Sequence, residues 1–147
     1  MGYKNDVLVF STGIEFEDAV TQIVERYSLK SWGIGAFKFS TLKQDKFEGT
    51  DFTVLGVPMD ITLNYEAKKR MIPVSRTLTY GNLSVQFGVK TGNVRKRFET
   101  PVLVLGFSSL WNVTKDNMWL IIDEIKNNLQ EILEVGMDEY FAVTEEG

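Results

Sequence analysis

Asp51-Phe-Thr-Val-Leu-Gly-Val-Pro-Met-Asp60-Ile-Thr-Leu-Asn64 holds two short runs of alternating apolar and polar residues, separated by Leu55-Gly56-Val57-Pro58. Such a pattern predicts a tight β-hairpin. In the second run Met59, Ile61, Leu63 and Tyr65 alternate with Asp60, Thr62 and Asn64, so the polar groups share one face of the sheet. Asp51 opens the first strand. Two carboxylates brought together on neighbouring strands repel unless a cation neutralises them, and the sharp expectation is a divalent metal site. Each acid also has a structural reading: Asp51 as a strand opener, Asp60 as a solvated residue on a half-exposed sheet.

The 147 residues contain no cysteine and no histidine, which excludes thiolate chemistry, disulfides, His-based triads and most zinc sites. A metal held by this chain must therefore take oxygen ligands, which favours magnesium, manganese or calcium. With 44% hydrophobic and 24% charged residues, the chain is long enough for one core and short for two domains. A single α+β domain over residues 1–147 is expected. The opening Met1-Gly-Tyr-Lys-Asn-Asp6 has no apolar signal region, and no run of eighteen apolar residues follows. This predicts a soluble cytoplasmic protein with no membrane partner.

Outward from the hairpin, Phe16, Ala19, Val20, Ile23, Val24 and Tyr27 recur at helical spacing, predicting a helix over 14–28 that starts after a break at Ser11-Thr-Gly13. Glu15, Glu17 and Asp18 would lie in its first turn, where acids suit the helix dipole; Glu17 also borders the buried stripe and can look toward the sheet. Val7 to Phe10 reads as an edge strand, Trp32 to Thr41 as a strand, residues 43–50 as a loop, and Glu66 to Ile72 as a helical turn stopped by Pro73. Arg76 to Tyr80 and Leu83 to Lys90 flank Gly81-Asn82 as a second hairpin, with Ser84, Gln86 and Lys90 on its polar face. Val102 to Phe107 is unbroken and apolar, as in a central strand covered on both faces. Thr114 is a good N-cap for a long helix whose stripe, Met118, Ile121, Ile122, Ile125, Leu129, Ile132 and Leu133, ends at Gly136; a short strand is expected over Tyr140 to Val143. Gly88-Val-Lys-Thr-Gly-Asn93 lacks the spacing of a phosphate loop.

Charge is uneven along the chain. Between Tyr65 and Thr100 eight basic residues face only Glu66 and Glu99, a net +6, whereas from Asp116 onward Lys126 alone faces nine acids, a net −8. A basic middle suits a phosphate backbone, with Lys69, Arg70, Arg95, Lys96 and Arg97 as the nucleic-acid-binding residues.

The order helix, strand, acid-bearing hairpin, further strands, long helix resembles the PD-(D/E)XK nuclease superfamily. The resemblance rests on Gly13-Ile-Glu-Phe-Glu17, Gly49-Thr-Asp51-Phe52 and Asp60-Ile-Thr62. It implies a restriction-endonuclease-like fold with a three-layer tendency, a central mixed sheet, and N-terminal and C-terminal helices flanking it. It also implies a magnesium- or manganese-dependent DNA nuclease of the kind found in mobile elements and in restriction or repair systems. Asp51 and Asp60 would be metal ligands together with the Ile61 carbonyl, and Glu17 the helix acid. Thr62 stands where the family has its lysine; Lys90 or Lys68 would substitute in orienting the attacking water. The alternative is a silent nuclease-like fold that binds a protein partner through the acidic surface of its C-terminal helix. A third expectation is an assembly subunit that forms a homodimer through the stripe from Met118 to Leu133.

Overall fold

The computed structural model describes residues 2–41, 50–63, 74–90, 100–109 and 113–146. The fold is α+β. Helix α1 (Gly2–Trp32) leads into β1 (Phe37–Phe39), β2 (Phe52–Val54), β3 (Val57–Thr62), β4 (Val74–Tyr80), β5 (Leu83–Lys90) and β6 (Val102–Ser109), and the chain closes with α2 (Met118–Asn127) and α3 (Leu129–Glu146). The six strands form one mixed sheet in the order β1-β2-β3-β6-β5-β4. Only β3 and β6 run parallel; β6 lies between the two hairpins and pairs antiparallel with β5.

Both predicted hairpins form. Val54 pairs with Val57 across a two-residue turn at Leu55-Gly56, so Val57 and Pro58 belong to β3 and not to the loop. Leu55 and Gly56 have φ of 50° and 82°, the left-handed pair that matches strand twist. A leucine resists that conformation, and Leu55 is half exposed. Leu55→Asn should therefore stabilise the protein by about 0.5–1 kcal/mol in urea unfolding; a loss of stability would show that the Leu55 side chain contributes packing. In the second hairpin Gly81, at φ 55°, takes the first turn position.

Alternation along the strands gives the sheet two chemically different faces. Phe52, Met59, Ile61, Leu103, Leu105, Phe107, Val85 and Phe87 join Phe16, Val20 and Val24 of α1 and Met118, Ile121, Ile125, Leu129, Ile132 and Leu133 of α2 and α3 in one core. The described helices thus cover one face, giving two layers; a third layer is not seen among the described residues. On the other face Asp60, Thr62, Lys90, Val102 and Val104 are also buried. As expected of a central strand, β6 is covered on both sides.

Several sequence expectations need correction. Residues 7–10 are helical, not an edge strand, because α1 runs through Gly13 without a break. A four-residue apolar run has no period of its own, and one glycine costs a helix only about 1 kcal/mol. Glu15, Glu17 and Asp18 consequently sit in mid-helix, and the first turn carries no acid. The dipole therefore does not account for Glu17. Trp32 ends α1, and the predicted strand over 32–41 shrinks to β1, since Gly33 and Gly35 turn the chain at φ 91° and 92°.

The predicted long helix starts later and is divided. Met118 N–H bonds to the Thr114 carbonyl, but α2 begins only at Met118, with Asn117 at its N-cap position. Asn128 interrupts the helix: its side-chain amide donates to the Glu124 carbonyl at 2.8 Å, in competition with the backbone ladder. Gly136 does not end α3; it lets the helix approach the sheet, where a Cβ would lie 3.0 Å from Leu103 and 3.2 Å from Phe87. Residues 140–143 are accordingly helical. The stripe from Met118 to Leu133 is 0–3% exposed at its seven positions, so it builds the core and offers no dimer face. The loop over 43–49, the turn over 66–72, and Lys68, Lys69, Arg70, Arg95, Lys96, Arg97 and Trp111 lie outside the described residues. No described helix is long and apolar enough to cross a membrane.

Candidate active site

Three of the predicted residues meet on the face away from the helices. β3 carries Asp60, and all six of its residues are buried. Asp60 pairs in register with Val104 of β6, which pairs with Gly88 of β5; Lys90 follows two positions later on the same face. The lysine reaches across β6, and its Nζ lies 3.0 Å from Asp60 Oδ2. Asp60 and Lys90 are only 6% and 7% exposed. A lysine stem is long enough to cross one strand, and burial of the ammonium is tolerable only because a carboxylate receives it.

Asp51 enters from the other side. Beyond the last β2 pair its backbone N–H donates to the Met59 carbonyl at 2.8 Å, while its Oδ2 accepts the Ile61 N–H at 2.9 Å. The carboxyl replaces the missing strand partner of β3, which fixes it beside Asp60. The two side chains share a hydrogen bond. Burial, then that hydrogen bond and the charge of Asp60, push the Asp51 carboxyl up to about 8; the Ile61 N–H pulls the other way and the Glu17 charge adds to the rise. At neutral pH Asp51 therefore keeps its proton beside Asp60.

Glu17 is half-buried on α1 and acts on Asp51 through its charge, without completing a cluster. Among the described residues no group of three or more acidic side chains is gathered tightly enough to hold a metal ion. Two carboxylates still suit a hard cation that keeps most of its water, as magnesium does. The Ile61 N–H is committed to Asp51, which fixes the backbone at the position whose carbonyl was the expected ligand. Thr62, two positions after Asp60, is 7% exposed on this same face.

The lysine was legible in the sequence only as one of two alternatives, and its pairing with Asp60 rests on β6 lying between their strands. Ser40, whose N–H donates to the Asp51 carbonyl at 3.2 Å, was not singled out by the sequence, and Thr50 entered only within Gly49-Thr-Asp51-Phe52, with no role of its own. Trp32 packs edge-to-face on Tyr27 and is 38% exposed, while Trp119 is 59% exposed on α2. Neither stands on the acidic face of the sheet.

No protein-family model, curated protein or solved structure matches this chain.

Proposed function

We propose that the protein is a phosphodiesterase acting on nucleic acid with a divalent magnesium or manganese ion, built on a restriction-endonuclease-like plan related to the PD-(D/E)XK nucleases. The observation that carries this reading is the buried meeting of Asp51, Asp60 and Lys90, in which one acid is held protonated at neutral pH. Asp51 and Asp60 would hold the ion, which when bound supplies charge neutralisation at the phosphate and a more acidic water. Asp51 gives up its proton as the site fills. Lys90, released in part from Asp60, orients water or a phosphate oxygen, the role the sequence left open between Lys90 and Lys68. Glu17 keeps the surroundings of Asp51 negative. Lys69, Arg70, Arg95, Lys96 and Arg97 contribute phosphate contacts on DNA.

Manganese titration by calorimetry at pH 7 in two buffers of different ionisation enthalpy tests the site directly. About one proton should leave per ion bound, and Asp60→Ala should bind none. Plasmid and single-stranded DNA should be cut in manganese by the wild type and left intact by Asp60→Ala. Cutting by both proteins alike would point to a contaminant.

One observation favours a second reading. Asp60 and Lys90 satisfy each other in a site that exposes little of either, as in a silent fold that binds a partner through the acidic surface of α2 and α3. That reading requires that manganese neither binds nor raises thermal stability.

A further inference from the structure

Two neighbouring turns at one end of the sheet display aliphatic side chains that take no part in the core. Gly33 and Gly35, both at positive φ, carry Ile34 between them in the link from α1 to β1, where it is 96% exposed. The β2–β3 turn lies alongside, since the Leu55 N–H donates to the Ala36 carbonyl at 2.8 Å. Leu55 is exposed there in a left-handed conformation that asparagine and glycine accept and leucine resists. Leu29 and Trp32, in the last turn of α1, are exposed as well, and none of the four belongs to the core. Backbone conformation and exposure both tell against a leucine at 55, so the fold does not explain it. Apolar side chains gathered on adjoining turns mark a contact surface.

Charge decides what that surface fits. From Arg26 to Thr41 the chain carries Arg26, Lys30 and Lys38, all exposed, and no acid, while Phe52 to Met59 carries no charge at all. This end is cationic in a chain of net −4. The acid-rich α3 packs on β5 and β6, in the other half of the sheet, whereas α1 packs on β1 and β3. Aliphatic tips beside a tryptophan and lysines suit the boundary of an anionic bilayer. The tips enter the acyl region, the indole sits at headgroup level, and the cations stay with the phosphates. A nucleic acid would engage the cations and the indole but leave Ile34 and Leu55 without a partner.

We propose that this end of the sheet docks on the surface of an anionic phospholipid bilayer, with Ile34 and Leu55 inserted and Lys30 and Lys38 on the headgroups. The expectation of no membrane partner came from the lack of a long apolar run; a surface contact of this kind needs none.

The test sediments wild type, Ile34→Asn, Leu55→Asn and the double variant Lys30→Gln with Lys38→Gln together with phosphatidylcholine vesicles, with and without phosphatidylserine. Wild type should bind the phosphatidylserine vesicles and bind phosphatidylcholine alone about tenfold more weakly or less. Each asparagine variant should lose about tenfold in affinity, with a melting temperature at or above wild type. The double glutamine variant should lose about thirtyfold on anionic vesicles. A wild type that does not sediment with anionic vesicles overturns the proposal, as does binding left unchanged in both asparagine variants. Lower melting temperatures in both asparagine variants also overturn it, because the two side chains would then be structural. Two further results reassign the surface and overturn the lipid reading: a wild-type dimer that Ile34→Asn makes monomeric in sedimentation velocity, or single-stranded DNA binding that Ile34→Asn weakens while vesicles are ignored.

Discussion

Lys90→Met should unfold about 3–5 kcal/mol more easily than wild type above pH 8, the usual cost of leaving one member of a buried ion pair without its partner. The substitution keeps the length and most of the volume of the side chain, so the loss reports the missing ammonium and not a cavity. What remains is Asp60 beside Asp51 without the Lys90 ammonium, in a region where Asp60 is 6% exposed. Below pH 5 both carboxyls can take protons, and the penalty should shrink to about 1 kcal/mol or less. Removing the charge from both sides, in Asp60→Asn with Lys90→Met, should recover most of the loss. Urea unfolding of the four proteins at pH 5 and pH 8.5 gives the coupling energy directly. A single-variant loss under 1 kcal/mol at both pH values would mean that water reaches the pair and screens it.

The second large effect is a pH dependence of opposite sign to the one most acids give. Asp51 has an ordinary value of 3.8 in the unfolded chain and about 8 in the fold. Between those values the folded protein binds the extra proton, so its stability falls as pH rises from about 4 to about 8 and is level outside that window for this group. At roughly 1.4 kcal/mol per unit the displacement is worth several kcal/mol; about 2–3 is expected in practice, since Asp51 is only partly buried and solvent screens it. Asp51→Asn keeps the acceptor oxygen for the Ile61 N–H and loses the titration. It should match wild type near pH 4, exceed it by that margin near pH 8.5, and lack the slope between. Added manganese should restore stability at high pH in wild type alone, by mass action. A wild type whose stability is flat or rising between pH 5 and 8, with Asp51→Asn parallel to it, would remove the shared proton from the account of the site.

The residues that decide the site were readable to different depths. Period-2 alternation identified both hairpins and the inward and outward faces of β3 and β5, because sheet periodicity is local and the turns carry glycine. The unbroken apolar run of β6 marked it as central for the same local reason. Helix ends were read less well: Gly13 and Gly136 look like punctuation, yet α1 runs through the first and α3 uses the second to approach Leu103 and Phe87. A glycine serving close packing and a glycine serving a cap have the same local sequence. The stripe over 118–133 gave the right buried residues with the wrong consequence, since periodicity tells which side is apolar and not what covers it. Lys90 was recognisable as polar-faced, but its partner 30 residues earlier depends on strand order, which no local pattern encodes.

That strand order also sets when the site can exist. Asp51 and Asp60 are brought together by one hairpin and Lys90 is carried by another, and the two hairpins are joined only through β6, the last strand in the chain. Until residues 102–109 emerge and insert between β3 and β5, the acids and the lysine belong to separate, independently forming units. The three side chains therefore come together only through β6, whose pairing with β3 joins segments far apart in the chain and carries the larger loop-closure cost. A nascent chain still missing β6 would carry Asp51 and Asp60 on one hairpin and Lys90 on another, with no strand to join them.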